Sequence, residues 1–171
     1  SFSRATRESG AMAGTAARFA AMAETISAAL AALGVDARVG EVPGEYCPGE
    51  YSISSRGAVK LAGIGQRVIT GGAHVGGVIV VRGAGRIRDV LEPVYDALEL
   101  DWNPATTGSV AAEIGEQDTT LTAADPDPLI EEVITSVRRV LSERFALVAA
   151  ELDEPTIALA TELRSDHAAP G

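Results

Sequence analysis

The chain contains one cysteine and one lysine, Cys47 and Lys60, thirteen residues apart. The thiolate is the reactive form of cysteine, and a neighbouring ammonium stabilises it. The same ammonium can offer charge to the oxyanion that forms when a thiolate attacks a carbonyl. The pair suits nucleophilic acyl chemistry, with Cys47 as nucleophile and Lys60 as its electrostatic partner. All 13 other cationic residues are arginine, so a mere surface cation at position 60 could equally have been arginine.

Residues beyond the pair could hold a substrate. Gly63 and Gly65 flank Ile64 in a strand-like stretch, where glycine weakens the strand unless a bulge or the close approach of a ligand requires it. They are expected to provide clearance for a ligand. Gln66 and Arg67 can bond carbonyl or carboxylate groups. The run Gly71-Gly-Ala-His-Val-Gly-Gly77 is expected to be a loop whose main-chain N–H groups face a substrate, with Gly72 and His74 in it. No metal site is expected. Each residue also has a plainer reading: a lone thiol as a small buried hydrophobe, a lone lysine as a solvated strand charge, His74 as a surface imidazole. Paired glycines can serve sheet curvature alone.

The elements that must position these residues follow from periodicity and breakers. Residues 1–10 read as the end of an extended segment running into a polar loop. Over residues 11–33, Phe19, Met22, Ile26, Leu30 and Leu33 recur at three- and four-residue intervals, which predicts a helix stopped by a left-handed Gly34. Residues 35–39 are a short strand candidate. Residues 40–50 hold two Pro and three Gly, which forbid either regular period and put Cys47 on a loop. Residues 51–54, the turn Arg56-Gly57, and residues 59–70 read as strand, tight turn and longer strand, with a further strand at 78–81, all as antiparallel neighbours. Residues 86–98 have a helical pattern that Pro93 must kink or restart. Residues 102–122 are turn-rich. Asp127-Pro128 opens an amphipathic helix, a last helix follows Glu154-Pro155, and residues 166–171 are expected to fray.

Composition bounds the reading further. Hydrophobic residues make up 46% and charged residues 22%, which suits one globular domain, here residues 1–150, followed by a terminal helix and tail at 151–171. With three Phe, three Tyr and one Trp, the core must be built from small side chains, which favours close helix packing. The formal charge is -10 and no Lys/Arg run could track phosphates, so nucleic acid is not expected as a partner. One cysteine cannot close an internal disulfide. Neither a signal peptide nor an apolar run of about 18 residues is present, so the cytosol is the expected compartment and a membrane is not an expected partner.

The stretch Lys60-Leu-Ala-Gly-Ile-Gly-Gln-Arg67 resembles the Lys-hydrophobic-Ala-Gly-x-x-Gln-Arg signature of the lipoate-protein ligase and octanoyltransferase superfamily. Tyr46-Cys-Pro-Gly-Glu-Tyr-Ser-Ile resembles the cysteine loop of the branch that moves octanoyl or lipoyl groups through an acyl-enzyme. Trp102-Asn-Pro-Ala-Thr-Thr-Gly-Ser-Val110 is similar to a segment of the same branch. The ATP-using ligases carry an Asn-Asp pair in the loop before the lysine, where this chain has Cys47-Pro48-Gly49. That difference implies transfer rather than activation.

The resemblance covers about residues 1–145 and implies an α/β (α+β) fold: a mixed, mostly antiparallel sheet with packed helices, of the biotin and lipoate ligase kind. It also implies that the family fold begins earlier, so the chain is expected to be incomplete at its amino terminus: a fragment, a remnant, or one piece of a split protein completed by a second chain. The implied activity is ping-pong acyl transfer through a Cys47 thioester to a lysine of a lipoyl carrier domain. The expected carriers are the glycine-cleavage H protein, a 2-oxoacid dehydrogenase E2 domain, or acyl carrier protein. No cofactor is implied for transfer, because the octanoyl or lipoyl group is the substrate. ATP enters only in a ligase alternative, in which Lys60 meets the phosphate of an acyl-adenylate. A second alternative is a non-catalytic binding subunit.

Overall fold

Five strands form one sheet: β1 (Phe2–Arg7), β2 (Ala37–Val39), β3 (Ile53–Ser55), β4 (Val59–Ile69) and β5 (Gly72–Ile79), ordered β1-β5-β4-β3-β2. The computed structural model describes residues 1–119 and 127–164. All ladders are antiparallel, and the parallel contribution among the described residues is an isolated bridge between Lys60 and Thr107.

Helix α1 (Thr15–Ala31) starts four residues later than the periodicity suggests, because residues 10–15 close turns in which Ala13 N–H and Thr15 N–H donate to the carbonyls of Gly10 and Met12. It stops where expected: Gly34 has φ +90, a left-handed conformation that costs glycine little. Its buried side chains Met22, Ala23, Ile26 and Leu30 pack with Ile53, Leu61, Val110, Leu129 and Val133 into the core. Helix α4 (Pro128–Ser142) opens as expected, with the Asp127 carboxylate accepting Leu129 N–H at 3.0 Å and Pro128 in the first turn. It lies on α1, where Ser136 Oγ donates to the Ala29 carbonyl at 2.8 Å. Only a residue as small as Ala29, which is fully buried, lets another helix reach that carbonyl.

One expectation is corrected and two are made specific. The glycine-rich run at 71–77 is a strand rather than a substrate-facing loop. Gly71 makes the turn at φ +79, and from Gly72 onward β5 lies between β1 and β4 with both its edges hydrogen-bonded into ladders. Helix α2 (Ala84–Ala97) runs through Pro93 without restarting. The carbonyl that loses its partner belongs to Asp89, which is exposed, so water can take the missing bond. The turn-rich stretch after Trp102 contains a 3-10 turn (Pro104–Thr106) and the short helix α3 (Val110–Glu113), each capped by a side chain, Asn103 and Ser109 respectively.

Helix α5 (Glu154–Glu162) follows Asp153, whose carboxylate accepts Thr156 N–H at 2.9 Å, and it buries no residue. The fraying expected at 166–171 lies outside the described residues. No helix among the described residues is long and apolar enough to cross a membrane.

A Cβ added at Gly77 would overlap the Gly63 carbonyl oxygen and meet the Phe2 ring at 2.8 Å, whereas one added at Gly65 meets nothing within 4 Å. Gly77→Ala is therefore expected to lower stability by about 1–3 kcal/mol, the usual cost of overpacking. Gly65→Ala should stay within about 0.5 kcal/mol of the parent. Urea unfolding of the two variants checks the contrast.

Candidate active site

Cys47 is exposed and its backbone is left-handed, at φ +42, a conformation that a non-glycine residue keeps only when its surroundings impose it. The surroundings do so from two sides. Lys60 Nζ donates to the carbonyls of Tyr46 at 3.0 Å and of Cys47 at 2.7 Å. On the other side, Cys47 N–H donates to Tyr95 Oη at 2.7 Å. The Tyr46 carbonyl and the Cys47 N–H belong to one trans peptide and point in opposite directions, so that peptide is held at both edges.

Lys60 is 2% exposed, and a buried ammonium must be paired and hydrogen-bonded. Glu45, 3% exposed, places Oε2 at 3.4 Å from Nζ. That oxygen accepts no hydrogen bond among the described residues, so the contact is coulombic. The other oxygen, Oε1, accepts from Ser52 Oγ at 2.8 Å and from Gly49 N–H at 3.1 Å, which ties the far end of the cysteine loop to the same carboxylate. The Tyr46 ring lies 4.9 Å from Nζ and adds a cation–π contact. Lys60 thus meets the loop through its carbonyls, while the group hydrogen-bonded to the Cys47 sulfur is Tyr95 Oη, at 3.9 Å.

Strand parity alone would put Lys60 and Gly63, three residues apart, on opposite faces of β4. The β3–β4 register jumps from Ser54–Lys60 to Ile53–Ala62, a bulge at Leu61 that shifts parity by one. Lys60 consequently shares a face with Gly63 and Gly65, and a Cβ on Gly63 would sit 3.5 Å from Lys60 Cε. A cleft of about 710 Å³ opens over this face. Cys47, Lys60, Gly63 and Gly65 line it, with apolar walls from Tyr51, Val80 and Leu91 among others. In chemical terms it offers an exposed thiol, a fixed positive charge, and apolar room where two side chains are missing.

The other expected site residues lie elsewhere. Gln66 braces β4 to the start of α1: its amide donates to the Thr15 carbonyl at 2.8 Å and its carbonyl accepts from Arg18 Nε at 3.0 Å. Arg67 and His74 face each other across the β4–β5 ladder and line a neighbouring groove of about 510 Å³. Gly72 lies near the far end of the sheet, where its close approach is to the Thr6 carbonyl of β1 rather than to the cleft.

Two residues that sequence reasoning missed hold the loop, Glu45 and Tyr95. For Glu45 a signal existed, since a buried lone lysine needs an acid. For Tyr95, on α2, there was none, because it reaches Cys47 across 48 residues through packing. Its ring tilts against Trp102 at 5.0 Å, and Trp102 meets Tyr46 edge-on at 6.3 Å. Burial pushes the Tyr46 phenol up to about 12, with Cys47, Glu45 and Tyr95 adding to the effect.

No family model matches the chain. It is 33% identical over 150 residues to the octanoyl-[GcvH]:protein N-octanoyltransferase of Geobacillus kaustophilus, covering 86% of this chain and 44% of that protein. Among solved structures it is similar to a candidate lipoate-protein ligase of T. acidophilum with bound lipoic acid, at TM-score 0.63 and 20% identity, over 96% of this chain and 58% of that one. A lipoate-protein ligase A bound with ATP superposes at TM-score 0.61 and 20% identity, over 95% and 58% of the two chains. The chain spans about half the length of the proteins it matches, and the structural likeness is one of fold.

Lys60→Ala leaves Glu45 buried without its counter-charge and releases two loop carbonyls, so a loss of about 3–5 kcal/mol is expected, with faster proteolysis between residues 44 and 50. Denaturant unfolding and limited proteolysis read both effects. The Tyr46 phenol ionises near 10 when unfolded and near 12 when folded. Its contribution to stability is therefore complete below pH 10 and is lost as pH rises through 12. Tyr46→Phe should flatten the decline of melting temperature across that alkaline window.

Proposed function

We propose that this chain, which belongs to the lipoate-protein ligase and octanoyltransferase superfamily, moves an octanoyl or lipoyl group to a lysine of a lipoyl carrier domain through a thioester at Cys47. The observation that carries this reading is the exposed, left-handed Cys47 at an apolar cleft whose floor is Lys60, Gly63 and Gly65.

The Cys47 thiolate forms a carbon–sulfur bond to the donor carbonyl, and the displaced electron pair moves onto oxygen. The Lys60 charge, fixed by three contacts under the loop, favours both the thiolate and that oxyanion. When the carbonyl re-forms, the carbon–nitrogen bond breaks and the donor lysine nitrogen takes a proton from solvent to leave as amine, a proton that the acceptor amine returns to solvent in the second half-reaction. The acceptor lysine then attacks the thioester, the carbon–sulfur bond breaks, and the thiolate returns. Transfer between two carrier lysines exchanges one amide for another, so it needs no ATP to drive it. Gly63 and Gly65 leave the room that the acyl chain occupies. The relative from Geobacillus kaustophilus, whose name pairs octanoyl-[GcvH] with a protein acceptor, supports an H-protein donor.

The likeness to an ATP-bound ligase favours a second reading, acyl-adenylate chemistry with Lys60 on the phosphate. The two part at one measurement. Incubation with octanoylated carrier protein should add one octanoyl group to the chain, labile to hydroxylamine, in the wild type and not in Cys47→Ala, with no dependence on ATP. Pyrophosphate release, or an adduct that survives in Cys47→Ala, would reverse the choice.

A further inference from the structure

We propose that Tyr95 is the positioning residue of the Cys47 nucleophile: its hydroxyl holds the left-handed loop through the Cys47 amide and turns its one proton toward the sulfur. The inference rests on the acyl-transfer reading of the same site and adds to it a residue on α2, far from the cysteine loop and the lysine strand in sequence.

A phenol has one proton to donate and an oxygen that accepts. Tyr95 Oη accepts Cys47 N–H at 2.7 Å, and Cys47 Sγ, at 3.9 Å, is the acceptor that its own proton meets among the described residues. The hydroxyl therefore bridges the backbone and side chain of the same residue. Its place is not adjustable. Tyr95 is 8% exposed, and its ring is wedged against Trp102, which also backs Tyr46. The segment that carries Trp102 is joined to the cysteine loop, since Asn103 N–H donates to the Gly44 carbonyl at 2.7 Å. Burial holds the Tyr95 phenol above its usual ionisation range, against the opposing pull of the bond it accepts from Cys47 N–H and with the nearby sulfur and Glu45 carboxylate on the side of burial, so it remains a donor at neutral pH.

A hydrogen bond given to sulfur is stronger when the sulfur is charged, so Tyr95 favours the thiolate over the thiol. The bond weakens once the sulfur becomes part of a neutral thioester, while the bond from Cys47 N–H continues to hold the loop. Lys60 acts on the same peptide from its carbonyl side, so the two residues divide the work. Lys60 supplies charge beneath the loop and Tyr95 supplies aim beside the sulfur. Tyr95 acts on the reacting atoms only through Cys47.

Tyr95→Phe removes the hydroxyl and keeps the ring against Trp102. The expected result is a fall of about 3- to 20-fold in the rate of Cys47 alkylation by iodoacetamide at neutral pH, since the loss of thiolate is partly offset by the greater nucleophilicity of a less stabilised sulfur. The rate of acyl-Cys47 formation from octanoylated carrier protein should fall by a similar factor. The carrier concentration for half-maximal rate should change by less than about twofold, because the lost contact is with the nucleophile and not the carrier. A folded Tyr95→Phe chain that is alkylated at the wild-type rate overturns the proposal. A wild type that never acquires the acyl group refutes the transfer reading instead, and the alkylation comparison still decides the role of Tyr95. For a variant that does not fold, the readout is the tyrosine ultraviolet difference spectrum on alkylating wild-type Cys47. A shift is expected as the phenol loses its sulfur acceptor, and an unchanged spectrum overturns the assignment.

Discussion

A lysine ammonium at 2% exposure cannot be left to solvent, and the way this chain satisfies it sets the shape of the site. Lys60 takes two backbone carbonyls from the Tyr46–Cys47 stretch and one carboxylate oxygen from Glu45. Those contacts answer the desolvation of the charge, and they also draw the cysteine loop down onto β4. The Glu45 carboxylate then reaches on to Ser52 and Gly49, so one ion pair gathers both ends of the loop and the residue that leads into β3. Breaking such a pair costs more than making it gains, because each partner strands the other in low dielectric. The loop that carries the nucleophile is therefore tied to the stability of the domain and is not an appendage to it.

The floor of the cleft depends on a second constraint, the bulge at Leu61. Without it, Lys60 would lie on the opposite face of β4 from Gly63 and Gly65, and a charge would be separated from the space where an acyl group could lie. With it, the missing side chain of Gly63 opens directly beside the ammonium, and Gly65 adds room farther along the same cleft. Glycines play different parts within one sheet: Gly65 opens onto empty space, whereas Gly72, Gly76 and Gly77 allow β1 and β4 to approach β5 closely.

Core and site share one economy of small residues. Ala23 and Ala29 let α1 lie close to its neighbours, and the aromatic residues that the chain does possess are concentrated around the cysteine loop, where Tyr46, Tyr95 and Trp102 form one contact group and Phe19 stacks on Tyr51 at 5.2 Å. Rigid rings cost little conformational entropy to immobilise, which suits a loop that must hold a left-handed residue in place.

What the sequence by itself determined is local. Period and breakers placed α1 and its stop at Gly34, α4 and its Asp127 cap, β4, the turn through Arg56 and Gly57, and the loop position of Cys47, because each is decided within a few residues of backbone sterics and capping. The lysine motif and the cysteine loop likewise pointed to the superfamily. Only the tertiary structure decided the rest. Gly71 to Gly77 read as a loop for want of side chains, yet the run is a strand because β1 and β4 supply partners for its backbone on both sides. Gln66, polar and beside the motif, looked free to bind a substrate and is instead held by Thr15 and Arg18. The parity of Lys60 was settled by a bulge that leaves no mark in the residue pattern, and Tyr95 met Cys47 through the packing of α2 against a loop 48 residues away. Those outcomes depend on which neighbours arrive from distant parts of the chain, and no local rule encodes that.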